Sequence, residues 1–492
     1  MTRIAVVGGG IAGLATALAI ADRARQLGHP IELTVLEGAP RIGGNLRSEH
    51  DGGFTVEWGP NGFLDNVPAT LELVDRLGLR QELQPADASA AKRFLYRGGR
   101  LHELPLSPLA FLACPVLSVA GRLRVLKEPW TRPKPAGLDE TVDAFATRHI
   151  GAEAARVLVG AMVSGVFAGD SRQLSLAAAF PKMAEMESAH GSLVRAMLAK
   201  GRERRRAKRR LAELAARGED APELRRPGGP AGPGGTLTSF RRGIESFVEA
   251  LSAALPVPVA TGRPVSRLVP APLGAAARWR LEAAGGPPIE TDQVVLALPA
   301  GSASALAAPF DPGLAATFAE IPTAPLAVVA LAFDETALGR APHGFGFLAP
   351  RGEGLRILGC LWDSSIFPGR APAGKVLVRA MIGGATDPAA VNLPDAELVA
   401  AVRSDLERAM AIEVEPERIW VFRHRQGISQ YTVGHGERLA SIERALAGWP
   451  GLYVTGQSFR GVAMNACVEE ARRVAERVLA GAGAAEPAAA VR

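Results

Sequence analysis

Three glycines, Gly8, Gly10 and Gly13, stand at GxGxxG spacing in the run VVGGGIAGL near the start of the chain. In that pattern the first glycine permits a tight turn, the second lets the backbone approach a pyrophosphate, and the third lets a helix lie close on a strand. Peptide N–H groups of the turn, at Gly9, Gly10, Ile11 and Ala12, and the positive end of a helix opening there would stabilise phosphate charge. The spacing alone recurs by chance in Ala/Gly-rich helices. Here an apolar run, Ile4 to Val7, precedes it and an Ala/Leu-rich stretch comes after it. A second β-rich run, Ile31 to Leu36, ends on Glu37, whose carboxylate is placed to accept hydrogen bonds from ribose hydroxyls. Strand, glycine turn, helix, strand and acid together define a βαβ nucleotide site.

Three segments further along the chain argue for FAD over NAD. EGAPRIGGNLRS carries Gly38, Arg41, Gly43, Gly44 and Asn45 just beyond the acid, a second close backbone approach suited to an extended flavin cofactor. WGPNGFL, with Gly59, Pro60, Asn61 and Gly62, is a tight turn that can pass under an isoalloxazine ring. Near the C-terminus, LYVTGQSFRGVAMNACVEEARRVAERVL reads as strand, glycine turn and helix, with Gln457 in the turn. A helix N-terminus at Val462, Ala463 and Met464 would donate N–H groups to the flavin pyrimidine and stabilise the reduced ring. Singly, these segments are an ordinary glycine turn and an ordinary helix cap. In this order, from one end of the chain to the other, they resemble the FAD-binding amine oxidase and desaturase superfamily. That resemblance also implies a cofactor contact at Val265.

Within the superfamily the sequence is similar to the protoporphyrinogen oxidase family. GPNGFL, KRFLYRGGRLHELP, GVFAGDSRQLSLAAAFP, LTSFRRGIESFVEAL, HGFGFLAP and QYTVGHGERL occur in that family's order, and only Lys200 to Gly235 is unmatched. The resemblance implies a substrate site in which Arg93 makes a bidentate pair with a propionate. It further implies Phe345, Leu348 and Met381 as apolar pocket residues, with Ala168 and Gly169 packing closely on the macrocycle. From the residues alone, Arg93 is a surface arginine and the apolar three are ordinary core. The implied reaction removes six electrons from protoporphyrinogen IX in three flavin cycles, each moving a hydride to flavin N5, with O2 reoxidising the flavin to give peroxide. The cofactor carries that chemistry, and no side chain stands out as an acid or base. One rival is coproporphyrinogen III oxidase of the same family, whose four-propionate substrate would require more cations. The other is a flavin amine oxidase, disfavoured by the lack of lysine in PLAVVALAFD and by only three tyrosines in the chain.

The elements that must hold these residues form an expected α/β fold of two or three domains, as 492 residues allow. A Rossmann-like FAD-binding domain of the two-dinucleotide-binding-domain kind is expected over 1–90, 236–302 and 437–482. A mixed-sheet α+β substrate domain is expected over 91–105 and 303–436, with strands at Ala324 to Phe333, Arg356 to Trp362 and Lys375 to Gly383. An inserted helical, membrane-facing subdomain is expected over 106–225, with helices at Thr141 to His149, Ala152 to Val166 and Leu193 to Lys200. A Gly/Pro-rich loop (226–235) and a disordered tail (483–492) complete the division, and the last helix is expected from Val462 to Leu479.

Composition excludes other chemistries. Cys114, Cys360 and Cys467 are far apart, which fits a reducing compartment and no disulfide scaffold. No HxxxH pattern and no GxSxG elbow is present, so neither a zinc nor a serine hydrolase is indicated. The net charge is +6, which alone does not choose among nucleic acid, anionic lipid and acidic substrate. The apolar stretch Leu109 to Gly121 is short and broken by Pro115, well under the roughly 20 residues of a spanning helix. A signal peptide over Ile4 to Ala21 is disfavoured by the glycines within it. The expectation is a cytoplasmic protein, peripheral on the cytoplasmic face of a membrane, with a homodimer left open. Lys200 to Arg210 holds eight basic residues and one acid. It reads as a solvated face or loop, or as a contact with an anionic membrane at about 1 kcal/mol per residue. It lacks the interleaved aromatics of a nucleic-acid site, and no nucleic-acid partner is expected.

Overall fold

The computed structural model describes residues 1–105, 110, 114–135, 137–216, 235–272 and 275–483. Residues 226–234 of the expected Gly/Pro-rich loop and 484–492 of the expected tail lie outside the described residues.

β1 (Thr2–Val7), α1 (Ile11–Leu27) and β2 (Ile31–Leu36) form the βαβ unit, the strands pairing in parallel from Thr2 with Ile31 to Val7 with Leu36. They belong to a five-stranded parallel sheet ordered Val259–Ala260, β2, β1, Gln293–Leu296, Leu452–Val454. Alternate residues of β1 enter two cores. Ile4 and Val6 meet α1 and the last helix (Met464–Gly483), while Ala5 and Val7 meet the helices Ala300–Ala307, Pro312–Ala319 and His435–Ala447. Coverage on both faces is why Ile4 to Val7 and Val294 to Leu296 are unbroken apolar runs, whereas β2 alternates at Glu32 and Thr34. Ala303, Leu306, Leu314 and Phe318, which follow the border expected after residue 302, pack on this sheet.

The second sheet has seven strands, ordered Arg418–Ser429, Thr323–Asp334, Lys375–Gly383, Ile357–Leu361, Gly346–Leu348, Phe94–Arg97, Arg100–Glu103. It is mixed: Gly346–Leu348 runs parallel to Phe94–Arg97, and the other neighbours are antiparallel. One face packs Val329, Leu331, Val378 and Ala380 on Leu398, Val402 and Leu406 of the helix Asp395–Met410. The other carries Val328, Ala330, Leu377 and Phe422 against Phe54 and Val56 of the ribbon Ser48–Asp51/Phe54–Glu57. The edge strand Arg418–Ser429 has no counterpart among the expected strands, since its charged residues interrupt the apolar pattern.

In the helical block, Val142–Ile150 forms close to its expected place. The expected helix Ala152 to Val166 is interrupted by a π-helical segment, Ala155–Gly160, and the run ends at Ala168 in the left-handed conformation, φ 47°. The helix expected over Leu193 to Lys200 continues to Ala216 and carries the basic run. Its start is capped by Glu128, whose carboxylate accepts from Ser192 Oγ and from the N–H groups of Leu193 and Val194. The buried His149 ring bridges that carboxylate (2.8 Å) and Glu187 (3.1 Å). Among the described residues, no helix is long and apolar enough to cross a membrane.

Candidate cofactor and substrate site

At the C-terminal end of β1 a cavity of about 410 Å³ opens in front of α1. Of the expected cofactor residues, Gly8, Gly10, Ile11, Ala12, Glu37, Gly43, Gly44, Asn45, Pro60, Gln457, Val462 and Met464 line it. Two glycines are fixed by close packing. Gly8 has φ 117° and a Cβ there would lie 2.3 Å from Ala297 O, while a Cβ on Gly13 would lie 1.8 Å from Gly8 O. Gly10 is different: its Cβ would meet nothing nearer than Gly44 Cα at 3.9 Å, so the missing side chain leaves open space against bare backbone. No side chain caps α1 and no acid stands in its first turn. Its free N–H groups and positive end therefore suit an anionic pyrophosphate. Glu37 is held at the end of β2 by the N–H groups of Gly9 (2.6 Å) and Ala39 (2.7 Å). These features fit a dinucleotide.

The remaining expected residues support this shell or sit outside it. Gly38 packs on Pro264, and a Cβ on Gly62 would lie 2.5 Å from Thr238 O. Arg41 folds over its own loop, donating to the carbonyls of Ile42 and Gly44, each at 2.8 Å. Val265 packs against the core under β1 and does not line the cavity. Val462 and Ala463 precede the last helix, which starts at Met464, because the left-handed turn at Gly461 (φ 83°) delays it. Asn61 Nδ2 is buried without a hydrogen-bond partner among the described residues.

The segment leading into the Gly59–Gly62 turn is gripped from the seven-stranded sheet. Arg379 Nη1 donates to the carbonyls of Glu57 (2.8 Å) and Gly59 (2.7 Å), and its Nε and Nη2 donate to Asp363 at 2.8 and 3.3 Å. His424 Nε2 is 2.8 Å from Trp58 O; a carbonyl only accepts, so this nitrogen carries the proton. Burial pushes the His424 pKa below its ordinary value, against the pull of that bond. Beside them Arg370 pairs with Glu57 at 3.0 Å, both about 2% exposed, and burial raises the Glu57 pKa.

The expected substrate residues fall into two neighbouring groups. Leu348, Gly359, Met381, Val328 and Phe422 form one cross-strand row, so Leu348 and Met381 share a face with a bare glycine between them. Ala168 packs with Leu326, Leu358 and Met381, and a Cβ on Gly169 would lie 2.5 Å from Gln430 Oε1. Phe345, just ahead of the Leu348 strand, joins Ile366 and Phe367 instead. The guanidinium of half-buried Arg93 lies 5.0 Å over the Phe345 ring, and burial lowers its pKa without discharging it.

Residues missed in the sequence include His424 and Cys467. His424 and Cys467 line the cofactor cavity, and burial pushes the Cys467 thiol up to about 12, which makes it inert. Their single letters carried no spacing pattern, and only the fold brings them to the site.

A parallel sheet with a glycine-lined anion cradle, joined to a mixed sheet that presents a partly apolar wall, defines the class of two-domain flavin oxidoreductases. The model described as flavin containing amine oxidoreductase matches residues 11–479, and the chain belongs to that family. Its cofactor is FAD. The chain is similar to protoporphyrinogen oxidase 1, chloroplastic, of Arabidopsis thaliana, at 33% identity over 97% of this chain and 88% of that protein. It is also similar to coproporphyrinogen III oxidase of Bacillus subtilis (strain 168), at 28% identity over 95% of this chain and 96% of that protein. Among solved structures, one from Exiguobacterium sp. 255-15, provisionally named a protoporphyrinogen oxidase, superposes with TM-score 0.79 at 25% identity, covering 97% of this chain and 98% of that one.

Proposed function

We propose that this chain oxidises protoporphyrinogen IX to protoporphyrin IX, six hydrogens leaving the macrocycle as three O2 become three H2O2. The observation that carries the reading is Arg93, a half-buried guanidinium lying on the Phe345 ring. A porphyrinogen presents that combination of needs, with anionic propionates at the edge of a large apolar ring. Leu348, Met381 and Ala168 supply the apolar wall, and Ala168 with Gly169 keeps that wall thin. Bound FAD supplies the oxidising chemistry. The chain's own residues bind the ring, orient it and keep water from it.

Coproporphyrin III formation is the second reading, favoured by the Bacillus relative. Purified FAD-loaded protein, given each porphyrinogen in air and followed by porphyrin fluorescence against enzyme-free controls, separates the two. Faster turnover of protoporphyrinogen supports the first reading and preference for coproporphyrinogen supports the second. Oxidation of neither rejects both.

We also infer peripheral contact with an anionic membrane on its cytoplasmic face. Val119, Leu123, Leu126 and Trp130 are 64, 58, 48 and 74% exposed; the first two lie on the helix Val119–Val125 and the others just past its end. Lys127, Trp130 and Arg132 line an open cavity of about 620 Å³ beside Arg124 and Arg148, and exposed Lys200, Arg202, Arg205, Arg206, Arg209 and Arg210 stand on the helix Leu193–Ala216 of the same block. Apolar anchors rimmed by cations suit a headgroup surface. Deleting Arg202 to Arg210 should abolish sedimentation with anionic vesicles while leaving turnover of detergent-solubilised porphyrinogen intact. Loss of both would reject the anchor.

A further inference from the structure

We propose that Arg379 and His424 are positioning residues that lock the cofactor-side turn to the substrate-side sheet, and thereby set the separation between flavin and substrate. The inference rests on the porphyrinogen reading for its substrate and on the structure for its geometry.

Three successive carbonyls, those of Glu57, Trp58 and Gly59, each accept a hydrogen bond from this pair: Arg379 reaches the first and third, His424 the second. The donors lie on the two strands that flank Thr323–Asp334 in the seven-stranded sheet, 320 or more residues from their acceptors. Among the described residues, the strand feeding the turn, Phe54–Glu57, pairs only with Ser48–Asp51, and past Glu57 that hairpin adds one bond, from Trp58 N–H to Arg47 O at 2.9 Å. The next residues run straight into Pro60 at the cofactor cavity. On the other side of the joint, Arg379 is two residues from Met381 on Lys375–Gly383, so both look out from one face of the strand. The same guanidinium thus ties the wall beside Met381 to the turn beside Pro60. Trp58 tightens the joint, stacked on Phe422 at 4.6 Å with the Arg47 guanidinium 3.7 Å from its ring.

Charge compensation alone does not account for Arg379. Its side chain and that of Asp363 are 2 and 3% exposed, and a buried ion pair of this kind is commonly no more stabilising than apolar residues of the same volume. What apolar residues cannot do is donate to two carbonyls at once. A planar fork satisfies Asp363 along one edge and the turn along the other.

The test compares Arg379→Met, Arg379→Lys, His424→Ala, His424→Gln and the double variant Arg379→Met/Asp363→Leu as FAD-loaded enzymes. Two readouts are taken: the visible circular dichroism of bound FAD, and kcat and KM with protoporphyrinogen. A reacting group displaced by about 1 Å can lose about 100-fold in rate. Arg379→Met should therefore lower kcat about 10- to 100-fold with KM within about threefold, and should alter the dichroism. Arg379→Lys should fall between, since it keeps the charge but loses the fork. The double variant should regain thermal stability by removing the stranded carboxylate, yet keep the altered dichroism and low kcat. His424→Ala should alter the dichroism, and His424→Gln, whose amide can still donate to Trp58 O, should largely restore it. Recovery of both readouts in the double variant, or their preservation in Arg379→Met, overturns the proposal. If Arg379→Met does not fold, the double and lysine variants decide. Should the wild type oxidise neither porphyrinogen, the functional reading fails while the dichroism still decides this one.

Discussion

The cofactor cavity and the substrate wall are built from different materials. Around the cavity the groups that matter are main-chain: the N–H groups opening α1, the bare backbone at Gly10, and the contact of Gly13 on Gly8. Around the wall they are side chains drawn from separated segments: Arg93 over Phe345, Leu348 and Met381 in one cross-strand row, and Ala168 ending a helix. Every residue but glycine adds a Cβ, and at Gly8 and Gly13 a Cβ meets backbone, so the cavity can be lost in one step but hardly tuned. A wall of side chains can be retuned one residue at a time without touching the cofactor. One fold can therefore keep its flavin and change its substrate.

The sharpest break is Gly13→Ala. Its Cβ would sit 1.8 Å from a backbone oxygen, which no rotamer relieves, and strained overpacking of this kind costs about 1–3 kcal/mol or more. Purified protein should carry less than about a tenth of the wild-type flavin by its visible-to-ultraviolet absorbance ratio. Normal flavin content would show that the cradle is softer than a backbone-built site should be. Arg93→Ala breaks the other side. Losing a charge-assisted hydrogen bond, about 1.5–3 kcal/mol, should lower kcat/KM for protoporphyrinogen about 10- to 100-fold, with flavin content unchanged. If flavin content also fell, the two regions would not be separable.

The same contrast explains what could be read from the sequence. Gly9 and Glu37, hydrogen-bonded 28 residues apart, belong to a local pattern whose chemistry is set by spacing. Arg379 meets Glu57 and His424 meets Trp58 across 322 and 366 residues; no spacing rule spans that, and the strand carrying His424 reads as too polar to be one. Two expectations in the helical block stopped short for a related reason. The helix past Lys200 looks like solvated charge, and the Glu128 cap at its start comes from 65 residues away; the π-helical segment at Ala155–Gly160 has no letter of its own.

Acid should distinguish the regions more gently. Burial pushes the Glu128 carboxyl up, but bonds from Ser192, His149, Val194 and Leu193 outweigh it and hold the pKa below the ordinary 4.5. Glu187 is likewise raised by burial and held lower by Arg148 and His149. A carboxylate whose pKa is depressed in the folded state contributes stability that is whole above 4.5 and is lost as pH falls below it through the folded value. Hydrogen exchange at the first turn of Leu193–Ala216 should therefore quicken below pH 4.5, beyond its intrinsic pH dependence, while the amides of β1 stay protected. Equal loosening of both would mean that the helical block does not open on its own.

The smallest expected effect is at Ala168, one of two non-glycine residues with positive φ among those described. Glycine there would relieve about 1–2 kcal/mol of left-handed strain. Against this, it would lose about 0.8 kcal/mol of buried methyl and about 0.4–1 kcal/mol through the more flexible unfolded chain. These nearly cancel, so Ala168→Gly should leave the melting temperature within about 3 °C, given that 1 kcal/mol moves a chain of this size by about 2–4 °C or less. The kinetic readout is then clean, because stability has been held still. If Ala168 serves the wall through its backbone, whose carbonyl accepts from Ala385 N–H at 2.7 Å, kcat/KM should stay within about threefold. A fall beyond about tenfold, worth about 1.4 kcal/mol, would mean that the methyl itself presses on the macrocycle, and that the wall is made of side chains even where a helix ends.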